Sequence, residues 1–470
     1  MSSERITQSV EKINELMATT ENPSLKGAIE DLGKAISVGN ISNSAGVAIG
    51  RNIRMVVNQL NLPADAAAAI LGVRNELGGS LGIDPDRYRL DVLLADKTRD
   101  FVGRAHVFDA INEFMTEQRS GYLVVVGDPG MGKSAILAEY VRRTGCISHF
   151  NVRAIGITTA RQFLEDVCSQ VIVDFGLPYA SLPADATQDG VYLLKLLKEA
   201  SAMLSAGERL VIAVDALDEV DLTSHPPGAN ILYLPSMLPD NVYFILTRRD
   251  VVVPMVSQSP QHDLDLMKYP AENRTDVKFY IQHNSERPKL REWIARQDMT
   301  EKAFVNKLAD LSENNFMYLR YVLPDMESGA YQNLDVQKLP TGLQGYYEDH
   351  WRHMGMTAKP LPRVKIRIIY VMCEVRQPVS RKLISEFATD ETLQVDELTV
   401  QEVLDEWSQF LHEQPTPDGL RYSVYHSSFR DFLHRKDVVQ AAGVTIKDIN
   451  ALIANNLWGE LFGEVEATPS

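Results

Sequence analysis

The sequence has few cysteines and no long apolar run, and each shortage excludes a class of protein. Its three cysteines are far apart in a chain of 470 residues, so we expect neither a disulfide framework nor a zinc cluster, and a reducing cytoplasm is the expected location. No apolar stretch approaches the roughly 18–20 residues that span a bilayer, and the polar N-terminus lacks the apolar core of a secretory signal. We therefore expect a cytoplasmic protein without a membrane partner.

An excess of positive charge is also missing. Lys and Arg total 47 against 63 Asp and Glu, which gives a formal net charge of −16. An acidic surface repels the phosphate backbone of nucleic acids. Nucleic acid is therefore an unlikely partner, although a local basic patch is not excluded.

Hydrophobic periodicity divides the chain into regions of different structure. Residues 1–40 and 62–82 have helical spacing, the alternation within 41–60 indicates a hairpin, and a polar linker is predicted at 84–100. From about residue 101, short valine-rich runs alternate with helical stretches, which is typical of a doubly wound parallel α/β sheet. The three predicted buried strands are 122–126, 210–214 and 242–246.

The pattern changes again after about residue 270, where strand-like runs fade. Residues 275–330 have helical spacing, and 362–435 combine helices with one hairpin between His412 and Tyr425. We therefore expect helical segments and a hairpin to follow the α/β region.

A glycine-rich segment after the first valine-rich run carries the strongest functional signal. It fits the phosphate-binding pattern G-x-x-x-x-G-K-[ST]. Glycines let the backbone bend so that successive N–H groups point at a triphosphate, and the helix that follows adds its positive dipole end. We expect the Lys133 ammonium to reach the β- and γ-phosphates and the Ser134 hydroxyl to coordinate Mg²⁺. The predicted nucleotide-binding residues are Gly127, Asp128, Pro129, Gly130, Met131, Gly132, Lys133, Ser134 and Ala135.

The next two predicted strands both end in polar side chains. Asp215 follows the second, where a rigid apolar strand would hold its carboxylate near Mg²⁺. Either Asp218 or Glu219 could then orient or deprotonate the attacking water. Thr247 and Arg249 follow the third strand, and both could contact the γ-phosphate, because ligands of doubly wound sheets bind at the carboxyl ends of the strands.

In this order, the three motifs resemble those of STAND-class signal-transduction ATPases of the NACHT type. The resemblance depends on the small Ala216 after the magnesium aspartate, the acid pair that follows it, and the strand end at 246–249, where Arg249 matches the family's sensor arginine. It covers roughly residues 100–440. It implies ATP or ADP with Mg²⁺ as cofactors, Ser134 and Asp215 as metal ligands, and the catalytic residues Lys133, Asp215, Asp218, Glu219 and Arg249.

Two further segments resemble the same family. Phe101-Val-Gly-Arg104 is similar to the segment that packs on adenine, so Val102 and Arg104 are implied nucleotide contacts. The segment 425–433 is similar to the family's winged helix, and by that resemblance His426 would reach the β-phosphate of ADP. The implied domains are an N-terminal adaptor or effector-associated segment, a NACHT-type domain, a helical domain, a winged helix and a tail, at 1–95, 96–270, 271–345, 346–440 and 441–470.

The resemblance implies a nucleotide-controlled switch. ADP would hold a closed form, ATP would stabilise an open form that forms a homo-oligomer, and slow hydrolysis would reset the cycle. The same resemblance implies a role in bacterial defence or regulation. The chain ends about 35 residues after the His426 motif, so the family's usual C-terminal sensor is missing, cut off or supplied by another protein. A separate sensor or effector protein is therefore an expected partner.

Two other functions stay open from the sequence. A DNA-associated ATPase resembling replication initiators also joins a P-loop domain to a winged helix, and a basic stretch lies at 363–382. A metabolic phosphotransferase would need a second substrate pocket with an acceptor base, and no such motif is recognisable.

Overall fold

A computed structural model of the chain describes residues 87–462, apart from 180, 224, 298, 330–335, 376 and 417–418. The helices predicted within 1–40 and 62–82 and the hairpin predicted within 41–60 lie outside these residues. The described chain forms two units. The first contains residues up to Asp128, with Lys133–Asn151 and Thr158–Glu272; the second contains Pro129–Gly132, Val152–Ile157 and the chain from Asn273.

The first unit is built on a parallel sheet of five strands in the order β2-β3-β4-β1-β5. The central strands are apolar and almost wholly buried, as the sequence predicted, because helices flank a parallel sheet on both faces. The edge strands carry polar residues, and their sequences gave no strand signal. The strands are β1 (Gly121–Val126), β2 (Ile147–Phe150), β3 (Leu210–Asp215), β4 (Val242–Arg248) and β5 (Gln261–Asp265).

In the part of the first unit that the structure describes, five α-helices accompany this sheet. They are α1 (Arg87–Thr98), α2 (Ala105–Glu117), α3 (Lys133–Thr144), α4 (Ala160–Phe175) and α5 (Val191–Ala202). The predicted polar linker at 84–100 was wrong, because most of it is α1, which packs on α3. The apolar residues of α1 do not form a clear stripe, so the segment has the composition of a linker although it is helical.

The second unit is mainly helical and includes the expected hairpin. Leu411 pairs with Val424 and Thr416 with Gly419 in an antiparallel ladder, and Val379 bridges to Tyr422 on the same hairpin. The helices before the hairpin are α6 (Pro270–Ser285), α7 (Pro288–Ala295), α8 (Glu301–Leu311), α9 (Phe316–Ser328), α10 (Gly342–His353), α11 (Arg363–Glu374), α12 (Arg381–Ala388) and α13 (Glu397–Glu406). The hairpin is β6 (Leu411–Thr416) and β7 (Gly419–Val424), and it is followed by α14 (Ser427–Leu433), α15 (Lys436–Ala442) and α16 (Ile446–Phe462).

An aromatic cluster forms the centre of the second unit. Trp407, Phe410 and Phe429 are almost fully buried and pack against one another, with the two phenylalanine rings stacked, and Tyr347 and Trp351 of α10 pack against them. Large aromatic side chains bury much apolar area with few rotatable bonds, so they fix the helices around the hairpin.

None of the described helices is both long enough and apolar enough to cross a membrane.

Candidate nucleotide-binding site

The glycine-rich loop joins β1 to the first residue of α3. Gly130 and Gly132 have φ of 85° and 87°, a left-handed conformation that residues with a side chain rarely adopt. The Lys133 ammonium donates to the carbonyl oxygens of Gly127 at 2.7 Å and Asp128 at 3.0 Å. The loop therefore curls around this ammonium at the N-terminus of α3, which is the arrangement that suits a bound phosphate.

The electrostatics of Lys133 favour an anionic ligand. Burial lowers the pKa of the ammonium, and the charge of Arg249 lowers it further, while Asp218, Asp215 and Asp128 oppose the shift. The net effect is a lowered pKa, which means that the neighbouring carboxylates do not fully offset the cost of burying the charged ammonium. A phosphate beside this ammonium would supply the missing negative charge, so the site fits a nucleotide.

Asp215 ends β3 in a buried position, with 4% of its surface exposed. Burial raises the pKa of this carboxyl, while hydrogen bonds from the Thr247 and Ser134 hydroxyls and the charges of Lys97 and Lys133 oppose the shift. Ser134 and Asp215, the predicted magnesium ligands, are therefore in direct contact. The described residues contain no cluster of three His, Cys, Asp or Glu side chains that could hold a metal.

Thr247 contacts Asp215 and Ala216, and its predicted role at the γ-phosphate stays a prediction. Its hydroxyl donates to Asp215 Oδ1 and accepts a hydrogen bond of 2.8 Å from the Ala216 backbone N–H. Only 1% of the residue is exposed. Thr247 therefore orients the carboxylate and the peptide that follows it.

The structure adds Asn151 and Lys97 to the predicted site. The Asn151 side chain, buried at the end of β2, donates through Nδ2 to the Asp215 carbonyl at 2.6 Å. Lys97, on α1, lies close enough for its charge to lower the pKa of Asp215. The sequence missed both because β2 and α1 were not predicted.

Asp218 and Glu219 have different surroundings. Ala216 has a left-handed backbone with φ of 52°, and a 3-10 turn at Leu217–Glu219 follows it. This turn directs the Asp218 carboxylate at Arg249, which donates from its backbone N at 2.9 Å and from Nε at 2.6 Å. Glu219 lies next to this pair and is partly exposed. Asp218 is thus engaged with a cation, while the predicted role of Glu219 at the attacking water stays a prediction.

The predicted adenine segment precedes α2. Arg104 has a left-handed backbone with φ of 63° and is 2% exposed, while Val102 is partly exposed. Phe101 packs on Phe108, and Phe108 stacks on Tyr140 of α3. The segment is therefore anchored to the helix that follows the phosphate-binding loop, while the adenine contacts of Val102 and Arg104 stay predictions.

His426, the predicted β-phosphate ligand, belongs to the second unit and caps α14. Its Nδ1 accepts from the Ser428 backbone N–H at 3.2 Å and lies 2.6 Å from the Ser428 hydroxyl, which in turn bonds to Tyr347. An accepting Nδ1 assigns the proton of the neutral imidazole to Nε2. The cap therefore selects the tautomer in which Nε2 is a hydrogen-bond donor, and the contact with ADP stays a prediction.

Comparison with known proteins found a matching family model and several similar solved structures, and the family match supports the nucleotide-binding assignment. Residues 100–245 match the family described as an AAA ATPase domain (AAA_16). Similar solved structures include a Walker-type ATPase of Pyrococcus abyssi, with 12% identity over 71% of this chain and 96% of that chain and a TM-score of 0.31. Drosophila ORC bound to DNA has 14% identity over 75% and 98% of the two chains and a TM-score of 0.29. A RuvB mutant of Thermotoga maritima has 13% identity over 71% of this chain and 97% of that chain, and its TM-score is 0.27.

No curated protein sequence matches the chain. The family match at residues 100–245 covers β1 to β3 and most of β4, so it includes the glycine-rich loop and Asp215. Residues 100–245 therefore resemble an AAA ATPase domain, and the five-stranded parallel sheet with its flanking helices has the α/β fold of P-loop NTPases.

Proposed function

We propose that this protein is a NACHT-type ATPase of the STAND class that acts as an ADP/ATP-controlled switch, forms a homo-oligomer with ATP and hydrolyses ATP slowly. The observation that carries the proposal is the ion pair between Asp218 and Arg249. A γ-phosphate that binds Arg249 competes with Asp218, whereas ADP leaves the pair intact. The two nucleotides thus favour different arrangements of the same residues, and a ligand can drive a switch only through such differential affinity.

The residues around Asp215 supply the chemistry of hydrolysis in this proposal. Mg²⁺, when bound, neutralises charge on the phosphate oxygens and orients them. Ser134 and Asp215 would hold the ion, Thr247 keeps the Asp215 carboxylate in place, and Lys133 neutralises the β- and γ-phosphates. Glu219 would orient the attacking water and accept its proton.

Nucleotide content and oligomeric state together test the switch. We expect the purified protein to carry ADP, and the wild type to assemble when ATP replaces it, as measured by ion exchange of the released nucleotide and by light scattering after size exclusion. Lys133→Ala should bind neither nucleotide and should stay unassembled. A monomer that turns ATP over rapidly would instead indicate an enzyme or motor without a switch.

The DNA-associated alternative has less support, because much of the basic stretch in the second unit is paired. Lys365 binds Glu406 at 2.7 Å, and Arg367 binds Asp390 at 2.8 Å. Paired cations contribute less to phosphate binding than unpaired ones, because the ion pair must first be broken. Micromolar affinity for duplex DNA that falls steeply with salt concentration would favour this alternative over the switch.

A further inference from the structure

The middle of the phosphate-binding loop, Pro129–Gly132, belongs to the second unit, and within that unit it is hydrogen-bonded to the start of α9. The Asn315 side chain donates from Nδ2 to the Pro129 carbonyl at 2.9 Å. The backbone N–H groups of Phe316 and Met317 point at the Gly130 carbonyl, at 2.9 and 3.4 Å. Two consecutive loop carbonyls are therefore bound by one helix N-terminus.

These contacts satisfy polar groups that would otherwise lack partners on both sides. A loop that turns its N–H groups inward to phosphate turns its carbonyls outward, and the first N–H groups of a helix have no acceptor within the helix. Asn315 uses both ends of its amide, because its Oδ1 caps α9 by accepting from the Tyr318 N–H at 3.1 Å. The single amide therefore holds the helix start and the loop together.

Gly130 permits this close approach. A Cβ at this position would lie 2.3 Å from the Asn315 Oδ1, well inside van der Waals contact. On the other side, Glu313 and Asn314 both have left-handed backbones, with φ of 52° and 61°, and they lead the chain into the contact. A glycine in the loop and an unusual turn before α9 thus make the same contact possible.

We infer that Asn315 is a positioning residue for the phosphate-binding loop, and that nucleotide binding and the attachment of α9 to the loop stabilise each other. The inference rests on the proposed function, since it requires the loop to bind a nucleotide. Asn315 holds the Pro129 carbonyl outward, and the N–H groups of Phe316 and Met317 hold the Gly130 carbonyl outward, which keeps the neighbouring N–H groups of the loop available to phosphate. Because coupling between two binding events is reciprocal, nucleotide in the loop should in turn secure the start of α9.

Substitution of Asn315 by serine separates this role from helix capping. Serine caps helices about as well as asparagine but is too short to reach the Pro129 carbonyl, so Asn315→Ser removes one hydrogen bond from the loop and keeps α9 capped. We expect the affinity for ATP and for ADP, each with Mg²⁺, to fall by about 5-fold by calorimetry, the usual effect of one hydrogen bond. Thr300→Ala is the matched control, because Thr300 caps α8 through the Ala303 N–H, and it should leave both affinities unchanged.

Hydrogen exchange of the full chain provides a readout that a purely structural role would not change. ATP should slow amide exchange at residues 313–318 in the wild type and in Thr300→Ala, and this protection should be reduced in Asn315→Ser. Wild-type affinity in Asn315→Ser, or no nucleotide-dependent protection in the wild type, would overturn the inference and leave the ATPase proposal intact. Failure of the wild type to bind either nucleotide, as for Lys133→Ala, would overturn both.

Discussion

At the scale of single residues, Thr247 links two neighbouring strand ends. Its hydroxyl donates a hydrogen bond to the Asp215 carboxylate and accepts one from the Ala216 N–H. One side chain therefore fixes both the predicted metal ligand and the start of the acidic turn. Burial opposes the charged form of Asp215, and the Thr247 hydrogen bond favours it. The charge state needed for magnesium binding therefore depends on a residue that has no predicted contact with the ion.

Thr247→Val tests this dependence because it keeps the shape of the side chain and removes the hydroxyl. The pKa of Asp215 should rise further, so the carboxylate should hold Mg²⁺ less well, and the folded protein should lose about 1–3 kcal/mol from the unsatisfied buried groups. A magnesium titration of ATP hydrolysis should show a higher midpoint. Thr247→Ser, which keeps the hydroxyl, should resemble the wild type; equal magnesium midpoints in all three proteins would contradict this role.

Asp218 and Glu219 should separate in function although they are adjacent. Glu219→Gln should slow hydrolysis by about 100-fold or more, since it removes the proposed base, and it should change ATP affinity little. Asp218→Asn weakens the hold on Arg249, so it should raise the affinity for ATP relative to ADP by several-fold. Single-turnover hydrolysis and nucleotide titration of both variants measure this difference. The opposite pattern, with hydrolysis lost only in Asp218→Asn, would exchange the two roles.

At the scale of secondary-structure elements, the edge of the sheet is protected by a side chain. The Gln170 amide accepts from the Ser148 N–H at 3.2 Å and donates to the Ser148 carbonyl at 2.8 Å, which imitates a further strand beside β2. An unprotected edge is a template for pairing with other chains. Gln170 of α4 thus satisfies the backbone N–H and carbonyl of Ser148 at the edge of the sheet.

The sequence predicted those parts of the site that depend on local patterns. The loop and Asp215 were found because a continuous apolar strand precedes each of them, and the glycine spacing has a direct geometric reason. Asn151 was missed because β2 is short and mixes polar with apolar residues, so its periodicity is weak. The contact of Asn315 with Pro129 joins residues 186 positions apart, and no local pattern can specify such a pair.

Helix α10 contains a partly buried histidine that should make the second unit sensitive to acid. His350 packs against Trp407 and Phe410, and Gln409 lies 3.0 Å from its Nδ1. Burial, together with the charge of His353, lowers the pKa of His350 to about 4. Between pH 6.5 and 4 the unfolded chain therefore takes up a proton that the folded chain does not, so stability falls as the pH falls through this window.

Tryptophan fluorescence can measure this loss in the second unit alone, because all four tryptophans lie beyond residue 272. We expect the free energy of unfolding in urea to fall by about 2 kcal/mol from His350 between pH 7 and pH 5. In His350→Gln this part of the pH dependence should be absent. His353→Gln, which changes a histidine with a 66% exposed side chain, is the control and should keep most of it. An identical pH profile for His350→Gln and the wild type would show that another group controls acid stability.

At the scale of the whole molecule, the net charge of −16 must influence any assembly of identical chains. Subunits that each carry this charge repel one another, and salt screens the repulsion over a Debye length of about 10 Å at 0.1 M. If ATP produces a homo-oligomer, its formation should therefore become more favourable as salt rises from about 20 to 200 mM. The Glu219→Gln variant is suited to this test because slow hydrolysis would keep ATP bound, and light scattering would report the mass. Dissociation by salt would instead indicate an interface in which acidic and basic surfaces face each other, so that local attraction exceeds the repulsion between whole subunits.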